Sequence, residues 1–280
     1  MYLSVIIPTC NRPDMLMKCL DLLQYSVQQL SSAEYELIVS DDSLDLVTKK
    51  LITEKYEWLT WSEGPKRGPA ANRNNGAKKA KGDWLVFLDD DVLPDSSLLN
   101  EYIKAINAHP TVEAFEGAIL PDDWDLLKKD MAECPVNTDG KCFWSANICI
   151  KSDLFNRING FDEDYLEAAQ EDQQIKINIE KNIIAPIIFL PACKVVHPVR
   201  FFTVWQRIMK IKKASKNFSL FVNKNMNRPF TLFFISQWKF HFIVLIKHIL
   251  SGRIKSAIVS LAWIFYGLPL NVYYINKGKS

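Results

Sequence analysis

Two short apolar runs in the first hundred residues, "YELIVS" and "WLVFL", each end on aspartates: Asp41 and Asp42 after the first, Asp89, Asp90 and Asp91 after the second. Runs of this length and composition read as buried strands. "LSVIIP" reads as a further strand, and Pro13 then suits the first turn of a helix carrying Leu16, Cys19, Leu20 and Leu23, with Asp14 near its positive end. "PAANRNNGAKKAKG" reads as a second helix, closed by Gly82. Strand and helix alternating in this way imply an α/β fold with a mostly parallel sheet. In such sheets ligands bind beyond the carboxyl ends of the strands, which is where both acidic groups fall. Carboxylates that close together repel one another, so the site requires a positive partner.

The chain of 280 residues is long enough to bury a sizeable core. Its six cysteines are scattered without a C-x-x-C pair, which argues against a disulfide framework or a zinc site and fits a reducing compartment. The N-terminus has no basic region and too short an apolar run for a signal peptide. Charge is divided along the chain. All 32 acidic residues precede Lys181, whereas 16 of the 34 basic residues lie from Lys181 onward. Such asymmetry points the last part toward an anionic partner, a membrane surface or a nucleic acid.

Clustered carboxylates are hard oxygen ligands suited to Mg²⁺ or Mn²⁺, and Asp89 to Asp91 would supply one or two of them. Taken alone, the triplet is explained equally by a solvated acidic turn. Further along, Gly160 ends one element, a helix begins near Glu171, and "IIAPIIFLPACKVVHP" is strand-like with His197 near its end.

The segments "SVIIPTCNRPDML", "YELIVSDDS", "GPAANRNNGAKKAKGDWLVFLDDDVLP" and "INGFDEDY…EDQQ" together resemble the successive landmarks of family 2 glycosyltransferases, over residues 1 to 200. The resemblance implies a GT-A fold, a Rossmann-like and mostly parallel sheet flanked by helices. Residues 1–100 would form its nucleotide-sugar-binding half and 101–200 its acceptor-binding, catalytic half. By the same resemblance Asp42 would face the base of the donor, with Asp41 and Thr9 beside it, and Arg73 and Asn74 would lie near the phosphates. Asp89 and Asp91 match the D-x-D motif, with Asp90 between them; Asp91 would ligate the metal and Asp89 would lie closer to the ribose while completing the metal set. His197 falls where many GT-A enzymes place a further ligand. Asp172 matches the base that takes a proton from the acceptor, and Glu171 takes that role if the register is off by one. The chain departs from the family pattern at Ser43, where glycine is usual, and at Asn178 and Asn182. Q-x-x-R-W, carried by processive relatives, is absent, so transfer of one sugar per encounter is expected.

Residues 201–280 lie outside the resemblance and hold 16 of the 33 aromatic residues, interleaved with Lys and Arg. A helical extension meeting an anionic membrane surface is expected there. Residues 256–276 carry no charge and would permit one span, but Gly267, Pro269 and Asn271 favour a pair of interfacial helices. The expected enzyme takes a nucleotide sugar, a UDP-sugar as first expectation, and transfers it to a saccharide or lipid-linked saccharide at the cytoplasmic face of the membrane, in surface polysaccharide assembly. A nucleotidyltransferase would require a glycine-rich loop after the first strand, and "PTCNRPDML" has no glycine. An RNA-binding protein would set its aromatic residues in polar surface rather than among Ile, Leu and Val. No nucleic-acid partner is expected.

Overall fold

β1 (Leu3–Thr9) is buried along its whole length because it has a core on each side. Leu3, Val5 and Ile7 enter one core and Ile6 the other, as period-two alternation demands. After β1 come α1 (Pro13–Leu22), α2 (Tyr25–Gln28), β2 (Tyr35–Asp41), α3 (Val47–Lys55), β3 (Thr60–Glu63), α4 (Pro69–Ala77) and β4 (Trp84–Leu88). Then follow β5 (Leu93–Pro94), α5 (Leu98–Ala108) and β6 (Ala114–Pro121). The computed structural model describes residues 1–225 and 230–278. It divides into two compact units, Met1–Asp122 with Pro135–Pro198, and Asp123–Cys134 with Val199 onward.

The second unit thus takes in an excursion, α6 (Trp124–Leu127) and β7 (Ala132–Glu133), that no sequence pattern marks. The chain re-enters the first unit to form β8 (Asn147–Lys151), α7 (Ser152–Arg157), α8 (Glu171–Glu180) and β9 (Ile188–His197). The eight-stranded sheet has the order β3-β2-β1-β4-β8-β6-β9-β5. Pairs β2–β3, β1–β2, β1–β4 and β6–β9 are parallel, while β8 runs against both of its neighbours. With Thr9 opposite Asp41 and Ile6 opposite Phe87, the ends of β1, β2 and β4 emerge at one edge.

α4 stops at Ala77, short of the expected Gly82. Gly82 serves the sheet instead: its N–H donates to Ser4 Oγ at 2.8 Å, and a Cβ there would lie 2.6 Å from the Ser4 nitrogen.

In the second unit, β10 (Arg200–Phe201) pairs antiparallel with β7. Four helices follow, α9 (Val204–Asn225), α10 (Phe230–Leu250), α11 (Ile254–Ala262) and α12 (Leu268–Lys277), the last two joined by a π-helical turn, Trp263–Gly267. Asp130 accepts the N–H groups of Lys255 and Ser256 at 2.9 and 3.1 Å, satisfying the start of α11. Residues 256–276 do not form the expected pair of helices; Ile254–Lys277 is one helix of 24 residues. Pro269 falls in the first turn of α12, directly after the wide turn, where a missing N–H is tolerated. By length and composition this is the one described helix able to cross a membrane.

Candidate active site

Thr9 joins the two acidic strand ends. Its hydroxyl donates to Asp90 Oδ2 at 2.6 Å, and its carbonyl accepts the Asp42 N–H at 2.9 Å and Asn72 Nδ2 at 3.2 Å. Asp90 and Asp91 are buried, and the cation they require is supplied in part by Arg12. Its guanidinium lies 2.7 Å from Asp90 Oδ1 and 2.9 Å from Asp91 Oδ2. Arg12 was not among the residues expected from the sequence. The available signal was its place: a basic residue three positions after the end of a strand whose neighbours end in acids.

Asp41 is held locally, accepting the Ser43 N–H at 2.9 Å and Trp61 Nε1 at 3.3 Å. Asp42 accepts the Lys66 N–H at 2.7 Å; burial raises its pKa and that N–H opposes the rise. Ser43 has a use that glycine lacks, since its Oγ accepts the Asn11 N–H at 2.7 Å. Gly68, just before α4, sits at φ +93°, and a Cβ there would meet the Leu166 carbonyl at 2.2 Å.

Asn72, Arg73 and Asn74 are consecutive on α4 and serve three different walls. Asn72 reaches Thr9. Arg73, almost fully buried, pairs with Asp89 at 2.7 Å and Glu171 at 3.4 Å, and its guanidinium lies 5.5 Å from the Phe161 ring centre. Burial works against its charge, but Asp89, Asp172 and Glu171 outweigh it and raise the Arg73 pKa. Asn74, expected beside the phosphates, bonds a loop: Nδ2 donates to the Phe161 carbonyl at 2.8 Å and to Glu163 at 3.0 Å, and Oδ1 accepts the Phe161 N–H at 2.9 Å.

α8 begins at Glu171, so Glu171 and Asp172 both occupy its first turn. Burial raises the pKa of each. Glu171 is buried against Arg73, whereas Asp172 is half-buried beside Ser145. Glu116, also missed from sequence, is a buried carboxylate accepting the N–H groups of Lys141 and Phe143, which fixes the chain that leads to Ser145.

His197 Nε2 lies 3.4 Å from Asp91 Oδ1. Its Nδ1 lies 3.0 Å from the Pro198 carbonyl, an acceptor, so Nδ1 carries a proton. An imidazole anchored through one nitrogen, with the other turned to a carboxylate oxygen, is the usual setting of a metal ligand. The described residues contain no group of three or more metal-type side chains, so an ion here would draw its remaining ligands from phosphate and water. The donor set fits Mg²⁺ or Mn²⁺ on those terms.

The profile of glycosyl transferase family 2 matches residues 4–133. Over those residues the chain is similar to family 2 glycosyltransferases. The match takes in Thr9, Asp42, Arg73 and Asp91 and ends before Asp172 and His197. A Campylobacter jejuni relative, GalNAc(5)-diNAcBac-PP-undecaprenol beta-1,3-glucosyltransferase, is 36% identical over 148 residues, 46% of this chain and 46% of that protein. The chain thus spans about half the length of that relative. The fold is the GT-A fold. The mannosyltransferase PcManGT from Pyrobaculum calidifontis, solved with GDP-Man and Mn²⁺, superimposes with a TM-score of 0.58 at 18% identity, covering 99% of this chain and 74% of that one. S. aureus TarS 1-349 with UDP-GlcNAc gives 0.57 at 18% identity, covering 99% and 92%.

Proposed function

We propose that the protein is an inverting, metal-dependent glycosyltransferase that moves one sugar from a nucleotide sugar to a saccharide acceptor. The observation that carries the reading is Thr9, which ties the Asp42 end of the sheet to the Asp90–Asp91 end and so makes one site of them. Asp42, assisted by Asp41, receives the base of the donor. Asp89 faces the ribose, and Asp91 with His197 holds the ion. When bound, Mg²⁺ or Mn²⁺ supplies Lewis-acid stabilisation to the departing diphosphate.

Arg73 pairs with Asp89 and Glu171 and lies electrostatically close to Asp172, linking the donor side to the acceptor side. Asp172 takes the proton from the attacking hydroxyl. Burial raises both carboxyls toward the range of a working base, and Asp172 is favoured because it is partly exposed whereas Glu171 is buried and engaged by Arg73. One base on the face opposite the leaving group suffices for inversion, so no covalent sugar–enzyme intermediate forms.

A lipid-linked saccharide is the proposed acceptor, supported by the undecaprenol-linked acceptor in the C. jejuni relative's name and by the purely basic segment after Glu180. The enzyme would then work at the anionic cytoplasmic face of a membrane. The donor base stays open between uridine and guanosine, since the superimposed structures hold one of each.

Calorimetric titration of UDP and GDP, with and without Mn²⁺, tests the site. One nucleotide should bind more tightly with the ion. Asp91→Ala and His197→Ala should each remove that gain, by at least the 10–100-fold typical of losing an outer-sphere partner alone. A gain that survives Asp91→Ala would move the metal elsewhere and end this reading.

A further inference from the structure

The second unit sets small, polar and some apolar side chains between its helices and carries many large apolar side chains outside. α10 meets α11 through His241, Leu245 and His248: the His241 ring stacks on Trp263 with centres 5.4 Å apart, and His248 Nδ1 lies 3.0 Å from Ser260 Oγ. α9 meets the Ile254–Lys277 helix through a ladder of side-chain bonds to main-chain carbonyls. Ser215 donates to Gly267, Ser219 to Asn271 and Asn223 to Ile275, at 3.4, 3.2 and 3.3 Å. Each rung is one turn beyond the last. Gly267 permits the approach, since a Cβ there would lie 3.0 Å from Ile211 Cγ2 on α9.

Large apolar side chains lie outside. Phe242, Ile246 and Ile249 on α10 are 54, 43 and 54% exposed, and Ile258, Leu261 and Phe265 are 45, 41 and 73% exposed. At about 100° per residue, the α10 stripe lies about a quarter turn from the line of its contact with α11. The stripe on the partner helix lies about a quarter turn from Ala257, Ser260 and Ile264, in the same rotational sense. The two helices are antiparallel, with His248 beside Ser260 and His241 beside Trp263, so both stripes open to one side. Helices in water carry the opposite pattern. Small and polar residues between helices with apolar exteriors are the arrangement found in lipid.

α9 differs. Lys212, Lys213 and Lys216 are exposed on it, and no acidic residue occurs after Glu180. We propose that this unit lies in the plane of an anionic bilayer surface, with the joint stripe of α10 and the Ile254–Lys277 helix among the acyl chains and the α9 lysines at headgroup depth. The 24-residue helix is long enough to span. It does not span, because α9 is laced to it by three rungs, and a span would carry Lys212, Lys213 and Lys216 into hydrocarbon, where charge is strongly disfavoured. Lying in the plane satisfies stripe and lysines together. The inference rests on the lipid partner of the proposed function and specifies how that partner is engaged.

The test is sedimentation of the full chain with phosphatidylcholine vesicles, with and without phosphatidylglycerol, at low and high salt. Binding should be tightest to anionic vesicles at low salt and should persist in part at high salt. Lys212→Glu, Lys213→Glu and Lys216→Glu together should remove the salt-sensitive part alone. Phe242→Ser, Ile258→Ser and Phe265→Ser together should remove the salt-resistant part, by at least about 100-fold. Helical circular dichroism and UDP and GDP binding with Mn²⁺ are followed on each variant. Binding lost wholly to salt and indifferent to the serine variant would overturn insertion. A lipid-free dimer that the serine variant dissociates would assign the stripe to a second copy. On the unaltered protein, a membrane-impermeant amine reagent added outside the vesicles should label all three lysines; protection of them would overturn the in-plane geometry. Vesicle binding as described, without nucleotide binding, would sink the transferase reading and leave this inference standing.

Discussion

Arg12 and Asp91 are joined by an ion pair of 2.9 Å, on the carboxylate oxygen opposite the one that meets His197. Asp91 is therefore shared between the Arg12 guanidinium and the His197 imidazole. Arg12→Ala leaves two buried carboxylates without that guanidinium, and the melting temperature should fall by the equivalent of about 1.5–3 kcal/mol. Mn²⁺ should restore most of the loss, and thermal shift with and without the ion measures both. A loss that Mn²⁺ leaves untouched would separate Arg12 from the metal.

Among the described residues Arg73 is the salt-bridge partner of Glu171, and it lies electrostatically close to Asp172. Arg73→Ala should destabilise the fold by about 3–5 kcal/mol, the usual effect of stranding a buried charge. The sign with pH is fixed by the raised carboxyl pKa values. A carboxyl group raised in the folded state favours folding while protonated, and that advantage is lost as pH climbs from the ordinary carboxylate range through the raised value. Removing the cation raises both further. Urea midpoints of wild type and variant should thus lie closest at acid pH and separate as pH rises.

Asp172→Asn should lower turnover by about 10²–10⁴-fold, the range of a general base, with nucleotide affinity unchanged. The acid limb of the wild-type pH profile should lie above the ordinary carboxylate range, because Asp172 is raised by burial. Full turnover in the variant would transfer the role to Glu171.

Asn74→Ala removes three hydrogen bonds to Phe161 and Glu163, two of them to main-chain groups. A loss of about 1–3 kcal/mol is expected from the orphaned loop amide and carbonyl. If Asn74 instead meets phosphate directly, nucleotide affinity will fall more than stability, and parallel calorimetry and urea titration distinguish the two.

What was legible in the sequence followed chemistry that is local. Apolar runs ending on Asp41–Asp42 and Asp89–Asp91 reveal strands and sheet edge together, because period and charge are written within a few residues. His197 at the last position of β9 was readable on the same ground. Arg12 was not, since its partners are about 80 residues away and only the fold brings them near. The bonds of Asn74 were not legible either: its neighbour Arg73 enters the acidic cluster, and one more residue of helical rotation turns Asn74 toward the 160s loop. The length of α4 was overestimated because Gly82 is a packing glycine of β1 rather than a helix stop. The Gly267–Pro269 pair was expected to break a helix, and a π-helical turn absorbs it.

Three successive side chains of α4 each hold a different part of the domain, and this makes the spacing of the preceding loop as consequential as its composition. One residue inserted between Gly64 and Asn72 would rotate the helix by about 100°, pointing Asn72 at the acids and Arg73 at the 160s loop. Length variation among natural homologues should therefore be tolerated between Leu166 and Gln170 and be rare ahead of Asn72, whatever sugar each of them carries.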